Sequence, residues 1–404
     1  MPAPPPPRVL PPLPKRELSA GVKQIRDRAA VNASNLRGLA YKSDVGMTEL
    51  TGWEYGTRTH ELAEMIGGDD LRLLAKLAIA GGMLPAGTDL ATLASSFAAA
   101  SAGASYSPFD KQVILVSKFK DESLITHEYA HALQDQHYDL MNLLTTRPFD
   151  FDRSGAAFAL IEGDAMNVQR RFEKKEAFDR MSLDDIARVE DDRFGVYRKE
   201  VGALFPPLLT ETFIFRYRDG ARFVETVRRD KKAGGVNFLF ERPPISTEQV
   251  LHPEKYFQNE LPLEVTISEE QYGARGWKVS NSSPLGEVGV KALLMSGLPE
   301  KGAARAAAGW GGDRAFLMQR EDGQELFLWK TLWDSAQEAS EFFQNYLTFA
   351  KSKGPIVNLD AECVLIKEAN GIASVVRRQG NSVVISRGNE SDLEAATRMS
   401  VDQP

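Results

Sequence analysis

The chain has one cysteine among its 404 residues, Cys363. It therefore has no intrachain disulfide, and thiolate-rich zinc ribbons and iron–sulfur clusters are excluded. Histidine is nearly as scarce: there are five, His60, His127, His131, His137 and His252. Any imidazole chemistry must therefore lie at or before His252. No window holds the roughly 18 unbroken apolar residues that a membrane-crossing helix needs. The apolar stretch Leu73–Leu84 is short and contains Lys76. There is no long run of Lys and Arg, and the net charge is −7, a poor match to a phosphate backbone, so no nucleic-acid partner is expected. With 43% apolar and 26% charged residues, the chain reads as globular rather than disordered or coiled-coil. The start, MPAPPPPRVLPPLPKRE, has no apolar core of signal-peptide length. As written the chain reads as cytoplasmic. A removed leader would instead make the proline-rich start a tether and place the protein in the cell envelope or outside it.

What is present divides into three stretches. Residues 1–14 read as an extended, disordered proline-rich tether, because proline fixes φ and removes donors. Residues 15–260 are mostly helical by their apolar spacing, with one β-branched strand at Lys111–Lys118. Helices are expected over Lys120–Leu140, capped by Asp121 or Ser123, over Gly155–Lys175, and over Leu208–Arg229. Residues 261–404 alternate strand and helix signals, with strands at Val265–Ile267, Trp277–Val279, Ala315–Gln319, Glu325–Lys330, Cys363–Lys367, Ser374–Arg377 and Val383–Arg387. The fold class is α+β, with a smaller α+β accessory domain after a mostly helical one.

The chemistry concentrates in His127-Glu128-Tyr129-Ala130-His131. On a helix, residues four apart lie about 40° from one another around the axis, so both imidazoles can face one metal ion. Glu128 is placed to hold a metal-activated water rather than the metal. The bland alternative is a helix with two surface histidines. A catalytic zinc takes three protein ligands and leaves one position open. Glu162, in Ala159-Leu160-Ile161-Glu162-Gly163-Asp164-Ala165, is an acid among apolar residues and needs a partner. It is the expected third ligand, with Asp164 next in line. Otherwise Glu162 would point to solvent or meet Arg170. The small residues Gly163 and Ala165 would let this helix approach the histidine helix. Asp135, four residues after His131, is a candidate to orient its second nitrogen. His137 falls about 240° around the helix from His131, off the metal face. Ser246 and Gln249 form a capping-box pattern and Pro253 ends the turn, leaving His252 at a rigid exposed end.

The strand Lys111–Lys118, the H-E-Y-A-H helix and the later E-G-D-A resemble the gluzincin class of zinc metallopeptidases. HEYAHALQDQHYDL, ALIEGDA and PPISTEQVLHPEKY together resemble a poorly characterised bacterial group of HExxH peptidases, often exported or lipid-anchored. The resemblance covers about residues 15–260, and GWGGDR extends it weakly beyond. It implies a zincin-like catalytic domain with Zn2+ held by His127, His131 and Glu162. It also implies a short edge strand before the motif helix, along which a peptide or protein substrate adds as a strand. Members of the class add a His or Tyr donor to the developing oxyanion. His252 is the histidine that follows Glu162, and Tyr217 and Tyr256 are the alternatives. The chain departs from the aminopeptidases of the class, with no G-x-M-E-N segment to grip a free amine, so exopeptidase activity is not expected. The expected function is a metallo-endopeptidase with Glu128 as general base. The alternatives are a catalytically silent envelope protein that keeps the fold for binding, and a hydrolase of non-peptide amides or esters.

Overall fold

The computed structural model describes residues 10–401 except 102, 118–119, 146–148, 231–234 and 369–370. Helix dominates, at 58% against 17% strand, in an α+β arrangement. Residues 1–9 of the expected tether lie outside the described part. The remainder of it is docked rather than loose: Pro11 O accepts from Arg58, Pro14 O accepts from Thr48, and Leu13 packs beside Leu50 and Tyr55.

A small sheet sits in the helical region. It contains β1 (Gly46–Leu50), β2 (Ala104–Ser107) and β3 (Gln112–Val116), in the order β1-β3-β2. β3 is parallel to β1 and antiparallel to β2. The β-branched strand expected at the edge is thus the middle one. Its residues Val113–Val116 are all buried, which is why that run is apolar without alternation. The edges are β1 and β2, and the A-S-Y-S sequence of β2 carries almost no strand signal.

The second sheet is entirely antiparallel. It holds β4 (Lys278–Ser283), β5 (Trp310–Gln319), β6 (Glu325–Trp333), β7 (Ile356–Asp360), β8 (Cys363–Lys367), β9 (Ile372–Gln379) and β10 (Ser382–Asn389), in the order β4-β5-β6-β10-β9-β8-β7. Both faces are covered. Trp310, Trp329 and Trp333 pack against Phe342 of the helix Ala336–Ala350 on one face. Tyr272 and Trp277 pack with Leu393 and Ala396 of the helix Glu390–Val401 on the other. Burial on both faces explains the near-continuous apolar runs in β5, β6, β8, β9 and β10. Val265–Ile267, expected as a strand, joins neither ladder. Its segment touches the sheet through Leu263 N, which donates to Gly311 O.

Three helices position the site. The motif helix, Glu122–Tyr138, starts at Asp121, whose side chain accepts from Ser123 N at 2.8 Å. The glutamate helix spans Phe151–Lys174 and is capped by Asp150. The stretch expected as one helix over Leu208–Arg229 begins at Pro207 and passes through a π-turn, Phe215–Asp219, before resuming as Gly220–Arg229. A π-turn adds a residue to one turn, which re-aims the side chains that follow.

Candidate metal centre

His127 and His131 project from one face of the motif helix toward Glu162 on the glutamate helix. The three donor atoms form a tight triangle. His131 Nε2 lies 3.0 Å from His127 Nε2, and Glu162 Oε2 lies 3.2 Å from each. A tetrahedral zinc with bonds of about 2.0–2.1 Å separates its ligands by about 3.3–3.4 Å. The donor set, two imidazoles and one carboxylate, suits a borderline cation such as zinc, and these residues fit it by both measures.

The surrounding hydrogen bonds leave the correct nitrogen of His131 free. Gln134 Nε2 donates to Ile161 O at 3.0 Å and to Asp164 Oδ2 at 2.9 Å. Its Oε1 therefore faces His131 Nδ1, 2.8 Å away, and can only accept. Nδ1 carries a proton, which makes Nε2 the nitrogen that faces the triangle and can exchange its own proton for a metal. Asp164 is held in turn by Arg37 at 2.7 Å. Asp164 thus supports the site from behind rather than ligating. The orienting role weighed for Asp135 belongs to Gln134: Asp135 instead accepts from Tyr106, Lys111 and Leu140 N. His137 lies off the metal face and contacts Ala40 O.

Electrostatics follow the geometry. Burial alone would raise the Glu162 carboxyl, but the two imidazoles outweigh it and hold that group far below the usual carboxylate range. Burial opposes the charged form of His131, yet Glu162 lifts it to about 9. A cation entering the triangle takes the place of that proton. Glu128 is buried, which raises its carboxyl against the pull of His127 and His131. Its Oε2 accepts from Tyr106 N on β2 at 2.7 Å.

That last bond ties the site to the sheet edge. Val116 N donates to Gly103 O and Lys111 N donates to Ser107 O, so the odd-numbered residues of β2 face β3. Ala104 and Tyr106 then turn their backbone groups outward, by the alternation of an antiparallel pair. One outward N–H is taken by Glu128. The others border a cavity of about 730 Å3 lined by Ala104, Tyr106, His127, Glu128, His131 and Glu162 among others.

The structure places His252 elsewhere. Its Nε2 faces Glu287 at 3.0 Å, and it does not line the cavity. The cap beside it forms, with Ser246 Oγ accepting from Gln249 N, so His252 belongs to a structured connector. Tyr256 donates to Arg242 O and is also outside. Tyr217, from the π-turn, is the one inside. Its ring stacks on His127 with centroids 6.1 Å apart, and it lines the same cavity as Glu162. Burial, then the charges of Glu162 and Glu128, push its pKa well up, so it stays a donor.

Glycine makes this approach possible. A Cβ on Gly163 would sit 2.3 Å from the Gly220 carbonyl, and one on Gly220 would sit 2.2 Å from Ala159 O. The glutamate helix and the start of the helix Gly220–Arg229, directly after the π-turn, cross at backbone contact there. Gly163 therefore admits that helix rather than the motif helix, whereas Ala165 does pack with Ala130 of the motif helix. A second acidic group, Glu248, Glu260 and Asp334, is occupied by the Lys255 ammonium at 2.6–2.7 Å from each.

Residues 271–398 match a family model described as a domain of unknown function, DUF8575. The matched stretch contains all seven strands of the second sheet and none of the metal-centre residues. No curated protein matches the chain, and no solved structure does.

Proposed function

We propose that this protein is a zinc-dependent hydrolase, and a peptidase in particular. One observation carries the reading: the triangle of His127, His131 and Glu162, with Glu128 beside it at the edge of a large cavity. Zinc bound there supplies Lewis acidity, polarising the scissile carbonyl and making water a nucleophile near neutral pH. Glu128 takes a proton from the attacking water and delivers it to the leaving nitrogen. Its bond to Tyr106 N fixes one carboxylate oxygen and leaves the other for that transfer. Tyr217 is the donor in reach of the developing oxyanion, the role expected of His252. The outward groups of β2 accept the substrate backbone as an added strand.

The test is metal analysis beside a peptide-library cleavage profile. About one zinc per chain is expected from one three-ligand site, and His127→Ala or His131→Ala should lose it. Glu128→Gln should keep the zinc while hydrolysis falls by about 10²–10⁴-fold. Full occupancy in either histidine variant would refute the ligand set. Zinc without turnover of any substrate by the wild type would favour a silent binding scaffold.

A further inference from the structure

Arg216 is a cation that the reaction above leaves unused. It precedes Tyr217 on the π-turn and lines the same cavity. Its guanidinium lies over the Phe158 ring, 4.1 Å from the centroid, and its Nε is buried without a hydrogen-bond partner. Other buried or half-buried arginines nearby are paired: Arg170 with Glu190, Arg198 with Glu211, Arg218 with Asp219. Among the described residues Arg216 makes no ion pair. The one carboxylate whose charge reaches it is Glu162, already shared by two imidazoles. Arg216 as a whole is half-buried, but its Nε is shut from water, and a partly desolvated guanidinium without an anion is unfavourable unless an anion arrives with the ligand.

The rest of the chamber says what accompanies that anion. Leu71, Leu74, Phe97, Phe151 and Phe213 form apolar walls. A smaller hollow of about 140 Å3, lined by Phe149, Phe151 and Phe215, also borders Arg216. A carboxylate directly attached to a bulky apolar group satisfies both features. An aspartate or glutamate side chain would leave the walls unfilled, and a continuing peptide would present an amide where the guanidinium needs charge.

We infer that Arg216 receives the free α-carboxylate of a peptide whose last residue is large and apolar, so that the site removes residues from the C-terminus. This rests on the hydrolase reading above. The last side chain enters the chamber, and the preceding residues pair with the outward groups of β2. The water oxygen bonds to the carbonyl carbon of the penultimate residue and the C–N bond breaks. The water proton passes through Glu128 to the leaving nitrogen, giving a shortened peptide and a free amino acid.

The test separates binding from turnover. Zinc-loaded wild type, Arg216→Met and Arg216→Lys are titrated calorimetrically with 4-phenylbutyrate and its neutral amide, 4-phenylbutyramide. The wild type should bind the acid at least about tenfold tighter, as a charge-assisted pair predicts. Arg216→Met should lose that preference, and Arg216→Lys should retain part of it. Equal affinity in the wild type, or a preference that survives in Arg216→Met, overturns the proposal; the latter would assign the carboxylate to the metal. Melting curves identify a misfolded Met variant, and the Lys variant then carries the comparison. N-acetyl-Ala-Ala-Phe-Phe and its C-terminal amide are offered in parallel, with faster cleavage of the acid expected. An acid preference in binding with neither peptide cut keeps the carboxylate site and removes the peptidase reading. Equal cleavage of both with no binding preference does the reverse.

Discussion

Gln134 decides the chemistry of His131 more than any charged neighbour does. Its amide nitrogen has two acceptors, so its oxygen faces the imidazole and fixes the tautomer. Gln134→Leu keeps much of the volume and removes that acceptor. Zinc affinity in a chelator competition should fall by about 10–100-fold, the usual effect of losing a supporting partner. An unchanged affinity would mean the imidazole holds its orientation by packing alone. The residues at this scale were unequally legible. His127, Glu128 and His131 could be read directly because helical spacing alone puts them on one face. Glu162 could be read because an acid among apolar residues needs a partner. The supporting residue is Gln134 and not the candidate Asp135, one residue apart in sequence but about 100° apart around the helix. His252 failed for a different reason: it was chosen by sequence order, and order does not bring the connector to the cavity.

Between elements, the contact that matters is the crossing of Gly163 and Gly220. It brings the π-turn, with Arg216 and Tyr217, against the glutamate helix. Gly163→Ala should destabilise the fold by about 1–3 kcal/mol or more, since the added methyl meets backbone that cannot rotate away. Tyr217 should move from His127 as the elements part. Gly21→Ala provides the contrast. It is an exposed position of the helix Ala20–Arg37 with open space around it, and should stabilise by about 0.5 kcal/mol. Thermal melting of the pair checks both signs. This crossing was hidden in the sequence, where Leu208–Arg229 has ordinary helical spacing and nothing marks the extra residue of the π-turn. β2 was hidden too, being four small or polar residues whose strand character comes from pairing with β3. The longer β-branched strands were visible because they are buried on both faces.

Across the whole molecule, charge links the helical region to the sheet region. Glu300 pairs with Arg198 at 2.7 Å, Arg218 at 2.9 Å and Lys291 at 3.4 Å. Burial raises its carboxyl, but Lys291, Arg218 and Arg198 together hold it down at about 2, against an ordinary 4.5. A carboxyl depressed on folding contributes stability that is present above its unfolded pKa and lost as pH falls through the folded one. The wild type should therefore lose melting temperature as pH falls from about 4.5 toward 2. Glu300→Gln should start lower at neutral pH and lose less over the same range. Parallel acid titrations of the two would count against the network.

The helix Gly286–Leu294 follows β4, the first strand of the second sheet, yet its side chains are divided among three cores. Val290, Leu293 and Leu294 join the tryptophan face of the sheet. Val288 packs with Ala156 and Leu160 of the glutamate helix, and Ala292 packs with Leu74 and Leu208. Melting either region therefore strips apolar cover from the other through the same nine residues. The two regions should lose their structure together. A single calorimetric endotherm, with calorimetric and van't Hoff enthalpies in agreement, is the expected signature. Two resolved endotherms would show that this shared helix does not couple them.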